Sequence, residues 1–158
     1  MMNDKINKII KIDMAETQSE NITPEQKQER AIAIYDLIEN NTFELKDHLG
    51  PYILFLSKES RHLLFDIRSQ NDVTLNSFYL AIGPFRKLIK DYQLICESYY
   101  EAIRTKPPSQ IQAVDVGRKA LHDEGAALVV ERLDGKIKMD YETARRIFTL
   151  ICLSLIHI

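Results

Sequence analysis

The stretch Gly83 to Arg104, GPFRKLIKDYQLICESYYEAIR, constrains this chain more than any other. Phe85, Leu88, Ile89, Tyr92, Ile95, Cys96, Tyr99 and Ile103 recur at i, i+3, i+4 and i+7, so in a helix they form one apolar stripe. Pro84 suits the first turn, where its missing N–H leaves no bond unmade. Arg86, Lys90, Glu97 and Glu101 cluster on another side. A helix of this length with one apolar face needs a partner layer, and the flanking sequence supplies the choices.

Upstream, Ile6 to Ile12 is a short run rich in β-branched residues and is expected as a strand. Residues 13–23 are expected as a linker. Thr23-Pro24-Glu25-Gln26 has the form of a capping box with proline at the first helical position, opening a helix to about Asn40. Ala31, Ile34, Tyr35, Leu37 and Ile38 are expected on its apolar side. Phe43 to Leu45 reads as a short strand and Gly50-Pro51 as a break. Tyr52–Leu56 and Leu63–Ile67 read as a hairpin across Ser57 to His62, with a third strand from Thr74 to Ile82. Downstream, Lys106-Pro107-Pro108 breaks the chain. Ser109 and Gln112 have capping-box spacing before a second long helix to about Leu133, with a break in prospect at Gly125. Asp134-Gly135 is a turn, Lys136 to Met139 is extended, and Asp140 caps a last helix. The expected fold is one α+β domain over 1–158. A small antiparallel sheet, a three-stranded meander plus short N-terminal strands, packs against one N-terminal and three C-terminal helices.

Composition narrows function by exclusion. With a net charge of −2 the chain has no bulk attraction to nucleic acid or an anionic membrane. The apolar run Ile147 to Ile158 falls short of the ~20 residues a membrane helix needs and reads as a buried helix end. Cys96 and Cys152 are far apart with no paired spacing, which favours reduced thiols and a cytoplasmic setting. Asp4 and the alternating lysines near the start argue against a signal peptide. No P-loop, G-x-G-x-x-G, G-x-S-x-G or H-E-x-x-H pattern occurs, and His48, His62, His122 and His157 lack zinc spacing. Neither cofactor nor metal is therefore expected.

The titratable residues that do stand out lie on the second long helix. Asp115, Arg118 and His122 share or border its apolar face at i, i+3 and i+4 spacings, so all three can touch. Charges there must be paired or line a cavity. One reading is an anion-binding or acid/base cluster, with Arg118 as fixed cation and His122 as titrating group. The other is an internal salt bridge. A break at Gly125 would place His122, Asp123 and Glu124 at an exposed helix end. Close backbone packing would equally explain Gly117 and Gly125. Arg145 and Arg146, with Arg86 and Lys87, would form a basic patch if the helix ends converge. Glu97 and Glu101 read as a solvated pair, and Tyr92 and Tyr99 as core.

Several blocks resemble a bacterial uncharacterised protein family, number 0262. They are Glu29-Arg30-Ala31, Ala33 to Leu37, Phe65 to Arg68, Pro84-Phe85-Arg86, Lys90 to Arg104, Pro108 to Ile111, Leu121-His122, Glu124-Gly125 and Thr143 to Arg146. The resemblance runs from about Glu29 to Cys152 and implies a small soluble bacterial protein. It carries over no catalytic residues. Two functions remain open. The first is a non-enzymatic cytoplasmic binding or regulatory module that meets a protein partner, or itself as a homodimer, through helix faces such as Leu94 and the tail Leu150 to Ile158. The second is a small anion- or ligand-binding protein or enzyme, its site drawn from Asp115, Arg118, His122, Glu124, Arg145 and Arg146.

Overall fold

The computed structural model of the chain describes residues 6–14 and 23–155. In chain order these form β1 (Ile9–Met14), α1 (Pro24–Glu39), β2 (Phe43–Leu45), β3 (Tyr52–Glu59), β4 (His62–Ser69) and β5 (Thr74–Ala81). Then follow α2 (Gly83–Thr105), α3 (Pro108–Arg132), β6 (Ile137–Met139) and α4 (Tyr141–Leu150), which runs on into a π-helical turn, Ile151–Leu155. The fold is α+β. Of the linker expected over 13–23, Asp13 and Met14 belong to β1 and Thr23 caps α1, while 15–22 lie outside the described residues.

The main sheet has the order β1-β3-β4-β5. The β3-β4-β5 meander is antiparallel, as its turn chemistry predicts, and the strands run closer to the first turn than expected, with Glu59 paired to His62. The sheet as a whole is mixed rather than antiparallel, because β1 runs parallel to β3. Parallel neighbours require a long crossover, and here α1 lies within it. The short strand β2 does not join this sheet. It pairs antiparallel with β6 from near the other end of the chain, Glu44 opposite Lys138.

The inner sheet face, Leu54, Leu56, Leu63, Phe65 and Ile67, is fully buried and continuous with Phe85 and Ile89 of α2 and Ile147 and Phe148 of α4. The helices form a chain of contacts, α2 on α3, α3 on α4 and α4 on α1. Two buried asparagines fasten the N-terminal strand. Asn41 accepts from Ile9 N at 2.7 Å and donates to Ile9 O at 2.9 Å and Leu37 O at 2.7 Å. Asn7 accepts from Gly50 N at 2.8 Å and from the Tyr52 hydroxyl at 3.2 Å. Each closes backbone or side-chain groups that burial would otherwise leave unpaired.

Helix ends follow local chemistry with one exception. Thr23 and Gln26 form the full capping box, at 3.1 and 3.0 Å, and Asp140 accepts from Thr143 N at 3.0 Å. Ser109 does not cap α3. Pro108, with φ preset and no N–H to satisfy, starts the helix one residue earlier, so Ser109 is already inside it. Nor does α3 break at Gly125, since it continues to Arg132. A Cβ on Gly125 would lie 2.3 Å from the Phe148 ring, and one on Gly117 would lie 2.8 Å from Ile95 Cδ1. Close packing against α4 and α2 therefore accounts for both glycines.

Two surfaces differ from expectation. On α1 Leu37 is buried and Ile34 packs partly buried on the core, as expected, but Ala33 is buried beside them and Ala31, Tyr35 and Ile38 are exposed. Of the tail Leu150 to Ile158 offered as a contact surface, Leu150, Ile151, Cys152 and Leu153 are buried in the core, and 156–158 lie outside the described residues. Among the described residues no helix is long and apolar enough to cross a membrane.

Candidate functional site

A cleft of about 330 Å³ opens between α1 on one side and α3 and α4 on the other. Its α3 and α4 wall carries Arg118, Lys119, Arg145 and Arg146, with His122 and Thr149 between them. The opposite wall, α1, contributes Glu29 and Asp36 with Ile32 and Ala33 between. Tyr92 of α2 lies at the base, its ring 5.4 Å from the His122 ring. A roomier depression of about 610 Å³ lies at the other end of the α2–α3 pair, among Glu97, Glu101, Arg104 and Lys106. Those side chains are exposed, and Glu101 is already paired with Arg104 at 3.3 Å. The smaller cleft, with half-buried charge, is the chemically informative one.

Helical spacing builds the basic wall. Arg118 and His122 are one turn apart on α3, and Arg145 and Thr149 one turn apart on α4. Gly125 lets the two helices approach, because the Phe148 ring occupies the place of its side chain. That approach brings the His122 ring to 5.7 Å from Phe148 and His122 Nε2 to 2.6 Å from Thr149 Oγ1. Thr149 donates its own proton to Arg145 O, one turn back, at 3.1 Å. Since a hydroxyl has one proton, this pattern assigns the ring proton to Nε2, which donates to Thr149.

His122 is held neutral. Burial among Tyr92, Phe148 and the helix backbones opposes its charged form, and the Arg145 and Arg118 charges add to that, so its pKa falls to about 4. It is thus a neutral hydrogen-bonding group near pH 7, not the titrating group that its position in sequence suggests. Burial also raises the Glu29 carboxyl above its ordinary value, against the opposing pull of Arg118. Burial likewise pushes the Cys96 thiol up to about 11, which leaves it an unreactive thiol beside the cleft floor.

The cations are oriented by neighbours. Arg118 donates through Nε and Nη2 to Asp115 Oδ1, at 3.1 and 2.6 Å, and its guanidinium stacks over Tyr99 at 4.6 Å. Lys119 reaches the other oxygen of Asp115 at 3.1 Å. Asp115, held ionised by these two hydrogen bonds, therefore positions Arg118 rather than lining the cleft. Arg145 Nη1 lies 3.4 Å from Asp123 Oδ1, an electrostatic pair, since that buried oxygen has no hydrogen bond. Arg146 Nη1 donates to Asn40 O at 3.0 Å, tying α4 to the end of α1.

Of the six residues singled out by sequence, the fold brings Arg118, His122, Arg145 and Arg146 into the cleft and sets Asp115 behind Arg118. Glu124 is exposed and does not line it. It is two residues beyond His122 on an unbroken helix, which turns it to the far side. Arg86 and Lys87 do not line the cleft with Arg145 and Arg146, and Lys87 pairs with Asp91 at 3.1 Å. Glu29, Asp36, Lys119 and Thr149 were not singled out. Glu29 and Asp36 sit two turns apart on α1, a pattern visible in sequence, but only tertiary packing reveals which face of α1 meets α4.

Fold and cleft define a small α+β protein with a charged interhelical cleft. The chain belongs to the Uncharacterised protein family (UPF0262), whose sequence profile matches residues 6–157. A UPF0262 protein of Agrobacterium fabrum is 53% identical over 131 residues, covering 82% of this chain and 83% of its own. One from Rhodospirillum rubrum is 53% identical over 129 residues, covering 82% and 80%. One from Cereibacter sphaeroides is 46% identical over 153 residues, covering 93% and 97%. No solved structure matches the chain.

Proposed function

We propose that the protein binds a small molecule bearing a carboxylate or phosphate group, and that the cleft between α1 and the α3–α4 pair is its site. The supporting observation is the convergence of Arg118, Arg145 and Arg146 from two helices beside a neutral His122. Arg118 is held by Asp115 and Tyr99 with Nη1 unpaired among the described residues, a fixed donor for an oxyanion. The cleft is at the small end of the range of ligand pockets, roughly 300–1,000 Å³. Two unpaired thiols, one buried and one half-buried, support a reducing, cytoplasmic setting.

Titration with inorganic phosphate and with acetate, followed by NMR of the His122 ring, tests this reading. Saturable shifts in the native protein, weakened about tenfold or more in Arg118→Gln with unchanged circular dichroism, are expected for loss of one charge-assisted contact. A ring indifferent to both anions would count against the site. A second reading, a module that meets a protein partner or a second copy through a helix face, draws on Ile32, Tyr35 and Ile38 along α1 and Leu94 on α2, all exposed. Sedimentation equilibrium tests the self-association arm, which requires species above 18.3 kDa.

A further inference from the structure

The two walls of the cleft carry opposite charge, yet they do not close on each other. Glu29 and Asp36 face Arg118, Lys119, Arg145 and Arg146 across it. Among the described residues no ion pair within 4.0 Å joins α1 to α3 or α4. The cross-wall hydrogen bond is that of Arg146 to Asn40 O, at the helix end rather than between the facing charges. The cations instead turn to acids of their own wall, Asp115, Asp123 and Glu142. Neither Glu29 nor Asp36 has a hydrogen bond or ion pair from its side chain among the described residues. Glu29 is nevertheless half-buried.

This arrangement opposes a simple anion as well as favouring one. A ligand carrying only negative charge gains from the basic wall and is repelled by the carboxylates opposite. A ligand with a cation at its other end gains from both. Between the two acids, Ile32 and Ala33 present an apolar strip, and Tyr92 supplies a ring at the base. The cleft thus has an oxyanion side and, opposite it, a cation side on which an apolar strip lies between the two acids, within about 330 Å³.

We infer that the ligand is a zwitterion of the α-amino-acid class, its carboxylate on Arg118 and Arg145 and its ammonium on Glu29, with Asp36 adding its charge to the same wall. The inference rests on the reading of the cleft as a ligand site and adds the chemistry of the second wall. Burial that leaves Glu29 short of solvation is relieved when an ammonium pairs with it.

The test uses the full chain and isothermal titration with the proteinogenic L-amino acids one at a time, then the N-acetyl and carboxamide derivatives of the tightest. Free amino acid should bind at least about tenfold more tightly than either derivative, since each loses one charged contact. Glu29→Gln should abolish the preference over the N-acetyl form while phosphate binding is kept or strengthened. Asp36→Asn serves as the second variant should Glu29→Gln fail to fold. If phosphate binds but the N-acetyl form equals or exceeds the free amino acid, or neither acid matters, the zwitterion is overturned and the anion site stands. If phosphate and every amino acid leave the protein unchanged, the site itself is overturned.

Discussion

A single methyl group added at Gly125 meets three atoms of the buried Phe148 ring at 2.3–2.4 Å, so ring or helix must move. At Gly117 the obstacle is the end of one flexible side chain, Ile95 Cδ1 at 2.8 Å. Alanine improves helix propensity by about 1 kcal/mol at either position. Overpacking a close-packed core costs roughly 1–3 kcal/mol. Gly125→Ala should therefore destabilise by up to about 2 kcal/mol in urea unfolding, and Gly117→Ala should be within about 0.5 kcal/mol of the native protein. Equal losses would mean that α3 and α4 are not in contact through Phe148. His122 sets a second expectation. Its folded pKa, about 4, lies below the ordinary 6.5, so between those values the unfolded chain takes the proton and the native one does not. The stability linked to this ring is complete above pH 6.5 and is lost as pH falls toward 4, to the extent of about 2–3 kcal/mol. His122→Gln should flatten this part of the pH–stability curve. A curve unchanged by the substitution would place the proton uptake elsewhere.

At the scale of elements, α2 shows how far a periodic stripe can be trusted. Phe85, Ile89 and Tyr92 are buried, Leu88, Ile95, Cys96 and Tyr99 are half-buried, and Ile103 is exposed, although all lie on one stripe of a helix that packs chiefly on α3. Phe85→Ala should cost about 3–5 kcal/mol and Ile103→Ala under about 0.5. Denaturant midpoints decide this, and comparable losses would contradict the gradient of burial along the helix. The same contrast separates what was legible in the sequence from what was not. Thr23 with Gln26, Asp140 and the β3–β4–β5 turns act within a few residues, so their chemistry can be read locally. On α1 the periodicity places Leu37 and Ile34 inward correctly, but apolar residues surround much of that helix, and packing on α4, β1 and the π-helical turn decides that Ala33 joins them while Ala31, Tyr35 and Ile38 stay outside. The parallel pairing of β1 with β3 and the antiparallel pairing of β2 with β6 depend on contacts distant in sequence that no local pattern encodes. The cleft divides the same way. Arg118 and His122 stand out as polar groups beside an apolar stripe, whereas Glu29 and Asp36 look like ordinary surface acids until α1 is placed.

For the molecule as a whole, the start of the π-helical turn that follows α4 is part of the core. Ile151, Cys152 and Leu153 are buried, and removing them forfeits about 1.5–3 kcal/mol for each large apolar side chain. Against a typical total of 5–15 kcal/mol, a chain ending at Leu150 should be largely unfolded at 25 °C by near-ultraviolet circular dichroism. A truncated protein with native spectra would show that the π-helical turn is dispensable. The union of β2 with β6 has a further bearing, on synthesis. Thr42 N finds its acceptor on Thr143, 101 residues later, and Arg146 caps a carbonyl 106 residues before it. Such distant closures are slow steps, since the intervening loop must be drawn in before the contact repays it. A chain emerging from the ribosome can form the hairpin of β3 and β4 early, but α1 has no opposite wall until α4 has left the exit tunnel. The nascent protein therefore leaves β2 without its partner and the cleft without its α4 wall until β6 and α4 are made, and a product terminated before them has no complete cleft.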